Sequence, residues 1–168
     1  MDCGRFLEQL MAMDDATWKR HASPWSVWTR VAILPLFVLI VWFRGWFGYW
    51  VVAPIVILIV WTYFNPRAFP KPLSTDNWAS KATFGERVWL NRGAKPIPVH
   101  HARFAHVLSG LSGLGLLPMV YGLCVYDPIV SCLGLILVIV CKFWFLDRMV
   151  WLYQDTKDGD VEYSSWLY

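Results

Sequence analysis

Four long apolar stretches constrain this chain more than any other feature: 27–43, 46–64, 104–126 and 129–145. Each approaches the ~20 residues that a helix needs to cross a hydrocarbon core about 30 Å thick. Inside a bilayer no water is present to satisfy backbone N–H and C=O groups, so such stretches predict helices. They come as two hairpins. Arg44-Gly45 and Tyr126-Asp127-Pro128 leave room only for tight turns between antiparallel neighbours. The expected fold class is all-α: a polytopic membrane protein with four transmembrane helices in two hairpins, plus an interfacial amphipathic helix. A soluble helical core is disfavoured in a chain that is 57% hydrophobic and 16% charged.

The expected organisation is a cytoplasmic tail over 1–22, a membrane domain over 23–153 with a loop over 65–103, and a polar tail over 154–168. In the first tail, Phe6, Leu7, Leu10 and Met11 would share one face of a short helix suited to the membrane surface, and the alternative is a partly ordered tail. Asp2, Glu8, Asp14 and Asp15 interrupt any apolar run there, so the first 26 residues do not read as a signal peptide. Ser23-Pro24 is a helix start, with serine to cap free amides and proline at the first helical position. Pro35 and Pro54 each delete a backbone hydrogen bond and predict kinks.

Charge sets the orientation. Between the hairpins lie Arg67, Lys71, Lys81, Arg87, Arg92, Lys95 and Arg103, against Asp76 and Glu86. The first tail adds Arg5, Lys19 and Arg20, whereas the two turns hold only Arg44 and Asp127. The positive-inside rule then predicts a cytoplasmic (inner) membrane protein with both termini and the middle loop in the cytoplasm. Many of the 12 tryptophans fall near span ends, where amphipathic rings suit the interface. The 4 cysteines form no CxxC pair, and neither a disulfide framework nor a zinc site is expected from them.

The middle loop opens with Asn65-Pro-Arg-Ala-Phe-Pro-Lys-Pro72, whose prolines favour an extended strap. Ser74-Thr-Asp-Asn77 is a cluster of capping residues, and a helix is expected over about 76–92. Trp78, Ala82, Gly85 and Trp89 line one of its faces, and Gly93 supplies a stop. In the third span, Ala105, Ser109 and Gly113 form a small-residue ladder suited to close helix approach.

Candidate chemistry lies in the charges at the span ends. Arg30 and Lys142 each sit about 14 residues from their own turn, or about 21 Å at ~1.5 Å per residue. Two cations at matching depth fall in the inner leaflet, where a charge is costly and faces a cavity or a partner. Arg30, Lys142 and Arg148, with Arg87 nearby, would supply positive charge. Asp76, Asn77, Glu86 and Asp147 would orient it. Guanidinium groups suit bidentate phosphate binding. In the competing reading these groups only neutralise one another and pin the bundle. The five-residue spacing allows but does not favour a direct Lys142–Asp147 pair; the alternative is that Arg30 reaches Asp147 or Glu86 from another helix.

His100-His101 is the other constellation. Neighbouring helical residues point about 100° apart, so both reach one ion only where Pro98 keeps the backbone from being helical. Further ligands would come from His106, Asp76, Glu86 or Asp147. HExxH and the histidine boxes of membrane di-iron enzymes are absent, and Asp155–Glu162 lacks the spacing of an EF-hand. The expectation is a wet histidine pair without a resident metal or an identifiable cofactor, with His100 and His101 the side chains that would hold a metal if one binds.

Three functions fit these residues. The leading one is binding of an anionic lipid headgroup or phosphate-bearing small molecule at the inner leaflet. The second is an enzyme with Glu86, His100 or His101 as general base, with or without a metal, at the cytoplasmic face. The third is a subunit of a homo-oligomer or transport complex assembled through the small face of span three. Membrane lipids are the expected partners, and nucleic acid is not.

Asn65-Pro-Arg-Ala-Phe-Pro, Ser74-Thr-Asp-Asn-Trp-Ala-Ser-Lys81, Gly85-Glu-Arg-Val-Trp-Leu-Asn-Arg92, His100-His101 and Trp144-Phe-Leu-Asp-Arg-Met-Val-Trp-Leu-Tyr153 are word-like blocks. They resemble a domain-of-unknown-function family of small prokaryotic integral membrane proteins, from about Ser23 to Asp155. The resemblance implies a prokaryotic membrane and brings no catalytic residue with it.

Overall fold

The computed structural model describes residues 13–168. The expected surface helix around Phe6, Leu7, Leu10 and Met11 therefore lies outside the described residues. Among those described, every regular element is helical. Four stretches are long and apolar enough to cross a membrane: Pro24–Trp42, Arg44–Ala68, Val99–Val125 and Pro128–Lys157.

Helix α1 spans Asp15–His21, and the Asp14 carboxylate caps it by accepting from the Thr17 amide at 2.7 Å. The first span is two helices, α2 (Pro24–Val31) and α3 (Ile33–Trp42), broken at Ala32. Pro35 causes the break: it has no N–H for the Val31 carbonyl, and its ring crowds that oxygen. Ser23 occupies the cap position of α2 by conformation, but its hydroxyl makes no capping bond. The second span starts with a short helix α4 (Arg44–Phe47) and a 3-10 turn (Gly48–Val51), then runs as α5 (Val52–Ala68). Gly48 has φ of +53°, a conformation that costs glycine little. Pro54 falls in the first turn of α5, where the free N–H groups have no helical partner to lose, so the expected kink becomes a helix start.

Residues 65–68 stay helical at the end of α5, Pro66 included, so the extended strap starts only after Ala68; it leads to α6 (Trp78–Leu90), capped by the Asn77 side chain, which accepts from the Ser80 amide at 2.9 Å. The second hairpin is α7 (Val99–Val125) and α8 (Pro128–Lys157). Its turn uses Tyr126 in the left-handed region and Asp127, whose carboxylate accepts from the Ile129 and Val130 amides. Helix α8 continues well past Phe145 because Leu146, Met149, Val150, Leu152 and Tyr153 keep a face buried after the lipid-like composition ends.

The α7–α8 seam repeats at alternating steps of three and four. His101, Ala105, Leu108, Gly115, Met119 and Gly122 are buried on one side, and Ser131, Gly134, Val138, Cys141, Phe145 and Leu152 on the other. Glycines set the separation. A Cβ at Gly122 would lie 2.4 Å from the Ser131 nitrogen, and one at Gly134 would lie 2.3 Å from the Met119 nitrogen. The ladder expected from the sequence is not this seam. Ala105 is buried, but Ser109 and Gly113 are exposed, and nothing lies within 4 Å of a Cβ at Gly113. A strict four-residue step drifts around a helix, whereas alternating threes and fours stay on one face.

Helix α6 crosses α8 at backbone contact, since a Cβ at Gly85 would lie 1.9 Å from the Met149 carbonyl oxygen. Its buried residues Ala82, Phe84 and Val88 join Phe145, Met149, Leu152 and Tyr153 in one core, with Trp78 and Trp89 packed alongside. The last residues fold onto the same core. A short helix α9 (Val161–Ser164) buries Tyr163, Trp166 stacks on Tyr153, and the Tyr168 carbonyl accepts from the Thr75 amide at 2.8 Å.

Candidate functional site

Three of the side chains singled out above meet between the hairpins. Arg30 arrives on α2, Glu86 on α6 and Lys142 on α8, and together they border a cavity of about 230 Å³. Its remaining walls are Val27, Val31, Leu34, Val138, Ile139, Phe143 and Leu146. Ligand pockets for drug-sized molecules occupy roughly 300–1,000 Å³, so this one suits a small charged group set in an apolar collar.

Lys142 Nζ donates to Glu86 Oε1 at 2.8 Å, with Lys142 half exposed. Arg30 Nε donates to the Ser26 carbonyl at 3.3 Å, and its terminal nitrogens have no protein acceptor among the described residues. Two cations and one carboxylate leave the cavity with net positive charge. Burial alone would raise the Glu86 pKa, but the charges of Lys142 and Arg30 outweigh it and hold the carboxyl below its ordinary range. Glu86 is thus an anion that pairs with Lys142, while the terminal fork of Arg30 makes no hydrogen bond to protein among the described residues.

A polar chain behind the cavity sets Arg30's helix in place. Ser26 Oγ donates to Asn65 Oδ1 at 2.7 Å, and Asn65 Nδ2 donates to Thr29 Oγ1 at 2.8 Å. Ser26 has only one hydroxyl proton, so His21 Nδ1, 3.2 Å away, must carry its own and donate to Ser26 Oγ. His21 is buried and its pKa is pushed well below 6.5, first by burial and then by the positive charges of Arg30 and Lys142. The Ser80 hydroxyl donates to the Ala22 carbonyl at 2.7 Å, tying α6 to the same corner.

The other singled-out residues lie elsewhere. Asp76 is exposed and pairs with Lys81 at 2.5 Å, and Asn77 serves as the cap of α6. Arg87 pairs with Asp15 and lies over the Trp166 ring. Asp147 accepts from Trp78 Nε1 at 3.2 Å rather than meeting Arg30. Arg148 lies over the Phe104 ring, with its Nε buried and unpartnered. His100 and His101 do share a neighbourhood, but within a helix. Both fall in the first turn of α7, and their ring centroids are 4.2 Å apart. First-turn side chains lean past the helix start, where no earlier turn blocks them, so non-helical backbone is not required.

The sequence reading missed Asp155, whose carboxylate oxygen lies 2.8 Å from His101 Nε2. Composition alone places it in a polar tail. Counting outward from the shared turn places it near the depth of His101, and the three-four seam of α8 passes through it. The Ser26–Asn65–Thr29 chain was also missed, because three small polar residues on two spans carry no spacing signature.

The chain matches a family of unknown function (DUF6653) over residues 5–165 and belongs to it. No curated protein and no solved structure matches.

Proposed function

We propose that this member of the family binds an anionic lipid headgroup, or a phosphate-bearing small molecule of the same chemistry, in the cavity between its hairpins. Arg30 is the anchor, Lys142 the second cation, and Glu86 the counter-charge that keeps Lys142 in position. The observation that carries the reading is the Arg30 guanidinium, whose terminal nitrogens have no protein acceptor among the described residues at the wall of a net positive cavity. A planar fork of that kind suits two phosphate or carboxylate oxygens at once. The apolar collar of Val27, Leu34 and Ile139 suits the glycerol and first methylenes of a lipid. In this reading the cavity faces the inner leaflet of a prokaryotic cytoplasmic membrane, with both termini on the cytoplasmic side.

The test is retention of phosphatidylglycerol from mixed phosphatidylglycerol–phosphatidylethanolamine vesicles by purified protein, with inorganic phosphate as competitor. A hydrogen-bonded charge contributes about 1.5–3 kcal/mol, so Arg30→Ala should weaken retention by roughly 10- to 100-fold and Lys142→Ala by less. Competition by phosphate would identify a soluble ligand, and indifference to phosphate a lipid. Unchanged retention in both variants would end the proposal.

A further inference from the structure

His101 is a side chain whose surroundings do not explain it. It is 1% exposed, at the end of the α7–α8 seam. One ring nitrogen, Nε2, meets Asp155 at 2.8 Å, and the other, Nδ1, is buried without a partner. Nε2, already beside the Asp155 carboxylate, is the nitrogen placed to share an ion with it, while Nδ1 stays within the seam. His100 lies beside it in the same first turn, exposed, and Asp155 is half exposed. The three side chains offer ligand atoms that all lie within 4.8 Å of one another.

We propose that His100, His101 and Asp155 bind a first-row divalent transition-metal ion at the open end of this seam. Two imidazoles and one carboxylate suit Zn²⁺ and its neighbours in the row, and suit Ca²⁺ or Mg²⁺ poorly. Bonds of about 2.1 Å at tetrahedral angles place ligand atoms ~3.4 Å apart. The cluster is therefore near that size, and the closing movement falls on the two exposed side chains. His101 is the fixed member, held by the seam. Asp155 supplies the negative charge and, on metal binding, changes from hydrogen-bond acceptor to co-ligand. Three protein ligands leave at least one coordination position for water or a substrate, which is the arrangement of reactive rather than structural sites. The anion cavity does not enter this inference, because Arg30, Glu86 and Lys142 are outside the cluster.

The experiment uses the full chain purified in detergent through an affinity tag without histidine and stripped with a chelator. Zn²⁺ is titrated calorimetrically, and Co²⁺ is followed by its visible ligand-field absorption. One ion per chain is expected, with the Co²⁺ spectrum showing nitrogen and oxygen ligands. His100→Ala and Asp155→Asn change exposed side chains and leave the buried seam intact, which His101→Ala does not. Each should weaken binding at least tenfold, and together they should abolish it. His106→Ala, with its imidazole on the Ala102 carbonyl, should bind as the wild type does. Arg30→Ala should also keep the metal, which separates this inference from the anion site. No stoichiometric ion in the wild type, or full binding by the double variant, overturns the proposal.

Discussion

The two hairpins solve the same problem by different means. Over their most apolar windows, the helices of the first are 17% and 0% buried, and those of the second 28% and 33%. Lipid is as apolar as leucine, so helices gain little by hiding from it and must associate through close packing or hydrogen bonds. The second hairpin uses close packing, with Gly115, Gly122 and Gly134 bringing two backbones together. The first uses hydrogen bonds: Asn65 joins α5 to α2 through Ser26 and Thr29. At the turn end Arg44 donates to the Leu123 and Cys124 carbonyls while lying 3.8 Å over the Tyr126 ring. A cation there also complements the negative end of α7. One hairpin is thus a tight scaffold, and the other is a mostly lipid-facing unit pinned to it at a few polar points. The cavity lies between them.

The contrast is broken most severely at Gly134. A side chain there meets the Met119 backbone, which cannot move out of the way as a flexible tip could. Gly134→Leu should destabilise by about 3 kcal/mol or more, read as the unfolding midpoint in detergent. Gly110→Ala is the control: its added carbon meets nothing within 4 Å, and the midpoint should move by no more than about 0.5 kcal/mol. A comparable loss at both sites would mean that the seam is not held by glycine contact.

A smaller effect is expected at Asn65. Asn65→Ala leaves Ser26 buried without its acceptor and should cost about 1–3 kcal/mol. The pin and the seam share no partner, so the Asn65→Ala, Gly134→Leu double variant should show additive losses. Strong coupling between them would contradict the division drawn above.

The smallest effect is a pH slope. His21 is neutral in the folded state, with its pKa depressed well below 6.5, whereas an unfolded chain takes up the proton near that value. The unfolded state therefore binds more protons as pH falls through 6.5, and stability declines from there toward the folded pKa, by at most about 1.4 kcal/mol per pH unit. Glu86, held low, adds its own loss only in stronger acid. Between pH 7.5 and 5.5, His21→Gln should flatten the slope while keeping a donor for Ser26. An unaltered slope would place the titration elsewhere.

Much of this arrangement is legible in the residues. Chain length in each apolar run gave the spans, and counting from the turns put Arg30 and Lys142 at one depth, where they share a cavity. The aromatic and small face of 76–92 pointed to the packed side of α6, although the helix is buried more deeply than a surface position requires. Other features were hidden for physical reasons. The small-residue ladder of Ala105, Ser109 and Gly113 has a four-residue step, while the seam follows a shorter period. Asp76, Arg87, Asp147 and Arg148 look alike to a charge count. Only packing decides that Asp147 serves a tryptophan and Arg87 the carboxylate of Asp15, 72 residues earlier. Asp155 was hidden because α8 outlasts its apolar composition.

The break at Ala32 carries a mechanical consequence. Bilayers differ in thickness by several ångströms, and a spanning helix adjusts by tilting. Here α3 is jointed to α2, so it can lean to suit its surroundings without dragging the arginine with it. The short rod beneath the joint takes its bearing from Asn65 and from the corner at Ala22. If α3 leans in this way, the guanidinium is expected to hold its position as bilayer thickness changes.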